Sequence, residues 1–429
     1  MSSGEIPLGI LYSVTGTYSL IGQACLDGAR LGLEEVNDDP RYPFTFRAEI
    51  EDPGGDIDRY HALSEAMLRE RGCRHIIGTI TSIGRKEVIP TIEKYDALLW
   101  YMCPYEGFEC CENVIYTGAC PNQHIVPLFR YLLPRYGKRV YLLGSNYIWG
   151  WETNRTAREL VQASGGDVVG EKYLPFSSQD VGRLIEDIRE QRPDFILNNL
   201  VGTTSYAFLK AYHAAAQADP AFAPSRRPVV SCNLTEAELD SIGPAAEGLL
   251  STAIYFDSLE TPESAAFRRK VAARFGAGAR NSVYLVNGYI AVKLLAEAIL
   301  ACGSDEIEAV KEALFALALM LVFRMKLGML ALVANLASVL ILLRYRDGDA
   351  NVRSVWLCSR NDAIGNVVVV AAAGGVFATQ TGWPDVMVAG LMAGLFLWSS
   401  VSILRQAFEE WRSDGSFDDT AVPEHGHGR

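Results

Sequence analysis

The sequence predicts a two-lobed α/β fold over residues 1–315, followed by an all-α membrane segment of about three helices over 316–410 and a polar tail over 411–429. Three observations predict it. Short apolar runs of strand length alternate with segments of helical period through nearly all of the first 314 residues, the pattern of a doubly wound parallel sheet with covering helices. The number of such units exceeds what one compact sheet holds, so two lobes are expected. Beyond residue 316 the mixed composition gives way to long apolar runs.

The elements follow in order. Residues 6–13 form an apolar strand-like run, Gly16 and Tyr18 fall in a loop, and 20–36 reads as a helix because Leu26, Ala29, Leu33 and Val36 share one face. Phe44–Glu51 is the next strand, ending in the turn Asp52-Pro53-Gly54-Gly55, after which Asp56 caps a helix to about Arg71. Residues 75–80 form a third strand. It breaks at Thr81-Ser82-Ile83-Gly84, resumes as a helix from Arg85 to about Tyr95, and returns as a strand over 97–102. In parallel sheets, ligands collect at the carboxyl ends of strands and at the helix N-termini that follow. Thr79, Thr81 and Ser82 stand at the first such end, and Tyr101, Cys103 and Tyr105 at the second. A hydroxyl at a helix start can equally serve as its cap.

Strands are then expected at 113–116, Arg139–Ser145, 167–173, 194–200, 228–233 and 249–256, the third of them changing domain. Helices fall at 121–136, 149–164, 178–191, 205–216, Pro262–Phe275, 282–302 and 305–314. Crossovers between lobes are expected near 118–121 and 250–258, leaving a cleft of the kind that takes small ligands.

A net charge of −12 argues against a direct nucleic-acid surface. Nine scattered cysteines form no CxxC pair and read as free thiols of a reducing compartment. The N-terminus shows no basic segment ahead of an apolar one, so no cleaved leader is expected and the soluble part is placed in the cytoplasm. Phosphate-cradling glycine motifs and HExxH are missing, so no cofactor is expected. His61, His75, His124 and His213 are dispersed without metal-like spacing, and Gly144-Ser145 makes no GxSxG elbow. Nothing in the chain reads as a catalytic constellation, and no enzyme is expected.

The stretches DPGGDIDRY (52–60), GRKEVIP (84–90), PYEGFE (104–109), CPNQ (120–123) and GSNYIWGWETNR (144–155) resemble the amide-sensing negative regulator of aliphatic amidase expression, the AmiC type. They are also similar to the urea- and short-chain-amide-binding receptors of ABC importers. The resemblance spans about residues 5–315. It implies the two-lobed periplasmic-binding-protein fold, truncated here, a small amide or urea as ligand, and an antiterminator-type response regulator or an ABC permease as partner. It also implies the pocket. Ser82, with Thr81 beside it, sits where a hydroxyl meets the amide, and Tyr101 and Tyr147 where phenols close on it. Cys103 and Pro104 take wall positions where the regulator has Thr-Pro, and Ile80 replaces a tyrosine.

In the apolar part, residues 326–343, 355–378 and 386–404 each approach the ~20 residues needed to cross a bilayer. Gly390 and Gly394 make a GxxxG step, and Trp356, Trp383 and Trp398 suit interface positions. GMLALVANLASVLILLR (328–344) and NVRSVWLCSRNDAIGN (351–366) resemble the fourth and fifth membrane helices of cation diffusion facilitators. That resemblance implies a metal-binding acid at Asp362, with Cys358 in the histidine place and a homodimer as the way to complete the ligand set. The junction reads as a fusion of two unrelated segments, anchored in the inner membrane.

Overall fold

The computed structural model describes residues 4–324 and, beyond them, positions 394, 398, 400, 401 and 405. The chain divides into two compact units, Met1–Leu314 and Phe315–Arg429. The expected spans over 326–404, with Cys358 and Asp362, lie outside the described residues apart from the helical positions 394, 398, 400 and 401.

The first unit holds two parallel five-stranded sheets. In lobe 1 the strands β1 (Gly4–Leu11), β2 (Phe44–Glu51), β3 (His75–Gly78), β4 (Leu98–Tyr101) and β5 (Val114–Tyr116) are ordered β2-β1-β3-β4-β5. The central strands HIIG and LLWY are buried at every residue, as expected where helices cover both faces. Those covers include α1 (Ser19–Asp38), α2 (Ile57–Arg69) and α3 (Ser82–Lys94). Asp56 caps α2 by accepting from the Asp58 backbone N–H.

The chain crosses to lobe 2 through α4 (Ile125–Tyr136). There β6 (Arg139–Ser145), β7 (Asp167–Leu174), β8 (Phe195–Asn199), β9 (Val229–Ser231) and β10 (Leu250–Ser251) are ordered β10-β9-β8-β6-β7. Their helices are α5 (Ile148–Ala163), α6 (Gly182–Gln191), α7 (Thr203–Ala218) and the short α8 (Leu239–Ile242). The chain then returns to lobe 1. Arg274 of α9 (Pro262–Phe275) grips Glu34 of α1 at 2.7 Å, and α10 (Val283–Cys302) packs along α1. α10 is the one helix among the described residues long and apolar enough to cross a membrane. Its apolar residues are instead largely buried against lobe 1. α11 (Ile307–Arg324) follows.

Four expectations need correction. β7 does not change domain: it pairs with β6 along its whole length and stays in lobe 2. α3 begins at Ser82, not Arg85, because the Thr81 hydroxyl accepts from the Gly84 N–H and opens the helix a turn earlier. The run at 249–256 yields only a two-residue strand, since the chain leaves β9 after the Thr252 N–H bonds the Ser231 carbonyl. α11 runs past residue 314, because FALALMLVF contains no helix breaker.

Candidate ligand-binding site

The carboxyl ends of β3, β4, β6, β8 and β9 converge where the two lobes meet. Lobe 1 supplies Ile21, Ile80, Thr81, Ser82, Tyr101, Cys103 and Pro104, and lobe 2 supplies Tyr147, Trp149, Val201 and Asn233. Tyr284 of α10 completes the wall. These side chains surround a cavity of about 30 Å³, about twice the ~15 Å³ that one water needs. All six residues singled out from the sequence, Thr81, Ser82, Tyr101, Cys103, Pro104 and Tyr147, line this one cavity.

Local folding sets each of them. Ser82 is the first residue of α3, buried to 1% exposure. Its Oγ donates to Glu106 Oε2 at 2.6 Å and accepts from Arg85 Nη1 at 3.3 Å. Arg85, one turn further along α3, is wholly buried. It donates to Glu106 Oε1 at 2.8 Å and to Glu109 Oε1 at 2.7 Å. Its guanidinium also lies 4.5 Å from the Tyr101 ring centroid and 5.6 Å from that of Tyr105, a cation–π arrangement. Tyr101 O–H donates to the Ile80 carbonyl at 2.9 Å, and the Cys103 thiol faces the Thr79 carbonyl at 3.8 Å.

The charges of the site are arranged behind the cavity wall. Burial opposes an ionised Glu109, but hydrogen bonds from Arg85, Lys86 and Tyr116 outweigh it and hold the carboxyl at about 2. Burial pushes the phenols of Tyr101, Tyr147 and Tyr284 well above their ordinary value, so all three are neutral hydroxyls. Burial pushes His124 down to about 4. Its Nε2 faces the Tyr105 carbonyl at 3.4 Å and therefore carries the proton, which leaves Nδ1 a bare acceptor. Neither His124 Nδ1 nor the neighbouring Trp149 Nε1–H, both buried, has a protein partner.

The lobes touch around the cavity. The Thr203 N–H at the start of α7 donates to the Thr17 carbonyl at 3.2 Å, and the hydroxyls of Thr17 and Ser177 meet. Tyr284 O–H donates to the Asn233 carbonyl at 2.8 Å. Phe176 packs on Tyr147 at 4.9 Å and on Tyr18 at 6.2 Å between centroids.

Sequence reasoning missed several members of the site. Glu106 and Arg85 lie within PYEGFE and GRKEVIP, yet a residue pair 21 positions apart gives no local sign that it is buried. Trp149 stood in view two residues after Tyr147, but was taken only as a helix start. Val201, Asn233 and Tyr284 follow strands or open helices with no distinguishing polarity. The eight cysteines among the described residues are all free.

The pattern of the periplasmic binding protein domain matches residues 6–321. A protein described as Leu/Ile/Val-binding protein homolog 6, from Brucella abortus (strain 2308), is 23% identical over 323 residues, 71% of this chain and 80% of that protein. A solute-binding protein of an ABC transporter from R. palustris, solved with benzoate, superposes with a TM-score of 0.64 at 19% identity, covering 72% of this chain and 85% of that one. The leucine-binding protein LivK from Thermotoga maritima superposes with a TM-score of 0.62 at 17% identity, covering 72% of this chain and 87% of its own.

Proposed function

The chain belongs to the periplasmic binding protein family over residues 6–321, and from that membership we propose that it is a non-catalytic receptor of the ABC-importer type that closes its lobes on a short neutral amide or urea. The observation that carries this reading is the cavity itself: about 30 Å³, walled by hydroxyls, a thiol and aromatic faces, with no charged side chain among its lining residues. A ligand of only a few heavy atoms suits that space better than an amino acid or a benzoate. Leucine, isoleucine or benzoate would also bring a carboxylate, and a buried carboxylate without a partner charge is costly. A primary amide needs only an acceptor for its N–H groups and a donor for its oxygen, and neutral Ser, Thr, Tyr and Trp groups provide both.

Lobe closure is the output, because contacts from both lobes to one ligand exist only in the closed form. The partner is then an importer permease that reads the closed shape, and the compartment is the one in which such receptors meet their permeases.

Isothermal calorimetry of the purified full chain tests the reading. Formamide, acetamide, propionamide and urea are titrated beside leucine, isoleucine and benzoate. Saturable heat from an amide or urea is expected. Heat from leucine or benzoate, with none from any amide or urea, would replace this reading with that of the compared proteins.

A further inference from the structure

The Ser82 hydroxyl has one proton and two lone pairs, and the surrounding residues use all but one of them. The proton goes to Glu106 Oε2 at 2.6 Å, and one lone pair accepts from Arg85 Nη1 at 3.3 Å. Glu106, 4% exposed and paired with Arg85 at 2.8 Å, is an acceptor that cannot give the proton back. What Ser82 offers the cavity is a single lone pair. Tyr101 is in the same condition: it lines the cavity and its proton goes to the Ile80 carbonyl at 2.9 Å, so its oxygen is left with lone pairs only. Two acceptors therefore stand side by side on the lobe 1 wall. On the lobe 2 side of the wall, the buried Trp149 indole N–H has no protein acceptor, and an indole nitrogen donates only.

We propose that Glu106 is a positioning residue that, by holding the Ser82 proton, makes this cavity select a carboxamide over the isosteric carboxylate. The inference rests on the amide reading of the same cavity and extends it. A carboxamide puts N–H against the Ser82 and Tyr101 lone pairs and its oxygen toward Trp149. A carboxylate of the same shape puts a second oxygen against those lone pairs, with no proton between them. Arg85 cannot relieve this. Four of its five N–H groups are held by Ser82, Glu106 and Glu109, and it does not line the cavity. Discrimination of this kind is strong because a mismatched polar contact in a dry site has no water to repair it.

The test measures acetamide and acetate affinity at pH 8 for the full chain and for Glu106→Gln and Ser82→Ala. The unsubstituted protein is expected to favour acetamide by about 100-fold or more. A glutamine at 106 can donate its own N–H to Ser82 Oγ and release the Ser82 proton into the cavity, so the acetamide-to-acetate ratio is expected to narrow by about 10-fold or more. A merely structural role for Glu106 would weaken both ligands alike and leave the ratio unchanged, which overturns the proposal. Ser82→Ala leaves the Arg85–Glu106 pair intact and must narrow the ratio as well, so it decides the question if Glu106→Gln does not fold. Comparable binding of acetamide and acetate by the unsubstituted protein would overturn the selectivity argument while leaving the amide reading in place. No binding of any amide or urea would remove the amide reading itself.

Discussion

A Cβ added to Gly28 of α1 would stand 1.9 Å from the carbonyl oxygen of Leu285 in α10. The two helices are therefore in backbone contact, and the contact recurs where a Cβ on Gly288 would lie 2.2 Å from the Cys25 carbonyl. Gly28→Ala must push α10 off the sheet-covering layer, because the obstacle is backbone and not a side chain that can turn away. A loss of roughly 2–4 kcal/mol is expected, read as a fall in the denaturation midpoint. Gly278→Ala meets nothing within 4 Å and serves as the neutral control.

Arg85 neutralises two acids that the fold has withdrawn from water. Arg85→Met keeps much of the bulk but strips Glu106 of its close Arg85 partner and leaves Glu109 to Lys86 and Tyr116, and a loss on the order of 3–5 kcal/mol is expected near neutral pH. The folded Glu109 carboxyl lies near 2, below its ordinary 4.5. Its stabilisation is therefore fully present above about 4.5 and fades as pH falls toward 2. The gap between Arg85→Met and the unsubstituted chain should shrink over that window in urea titrations. A constant gap would mean that packing, not charge, is what Arg85 supplies.

Glu238 carries the opposite shift. Burial raises it to about 7, against weaker lowering by the Tyr206 hydroxyl and the Thr235 N–H. The folded state thus binds this proton more tightly than the unfolded chain. Stability from this group is greatest below about 4.5, declines as pH rises to about 7, and is level above that. Glu238→Gln keeps an acceptor for Tyr206 and removes the titration. The variant should gain on the order of 2 kcal/mol relative to the unsubstituted chain between pH 5 and pH 8. Burial lowers His75 and His124 to about 4, which tilts stability the other way from 4 to 6.5. Both proteins share that slope, so it cancels in the comparison.

Gly202 opens α7 with a φ of 62°, and a Cβ there would lie 2.1 Å from the Thr17 carbonyl of the other lobe. Gly202→Ala should hold the lobes apart without disturbing either core. Amide or urea affinity is expected to fall by about 10-fold or more, through a smaller closed population. Small-angle scattering in saturating ligand should show a larger radius than the unsubstituted chain gives. Unchanged affinity would mean that closure does not bring these two residues together.

Trp149→Phe removes one buried N–H that has no protein partner, so thermal stability should stay the same or rise slightly. Ligand affinity should nevertheless fall by about 10-fold, the cost of one lost hydrogen bond to a desolvated oxygen. A variant that binds as well as the original would show that the ligand oxygen faces elsewhere.

The alternation of strands and helices was legible because buried parallel strands such as HIIG and LLWY are short, mostly apolar runs and the intervening helices are not. Glu106 was not legible. An acid in a Gly-flanked loop reads as solvated until the fold brings Arg85 against it. Thr81 and Ser82 show the same limit on a finer scale: both have hydroxyls at a helix start, and only the backbone geometry assigns the cap to Thr81 and leaves Ser82 to Glu106. β7 was misread as changing lobes because a sheet partner leaves no mark on an edge strand of mixed polarity. The two-residue β10 was overextended because an apolar run carries no sign of where pairing stops.

The return of α10 to lobe 1 also sets an order of assembly. Every strand of lobe 2, from Arg139 to Ser251, is contiguous in the chain and is synthesised before α10 exists. Lobe 1 has all five of its strands by Tyr116, yet the helix that covers α1 begins only at Val283. A nascent chain must therefore hold the apolar face of α1 exposed, or let it rest on something temporary, while an entire second lobe is made and folded. The lobe that starts first is the one that finishes last.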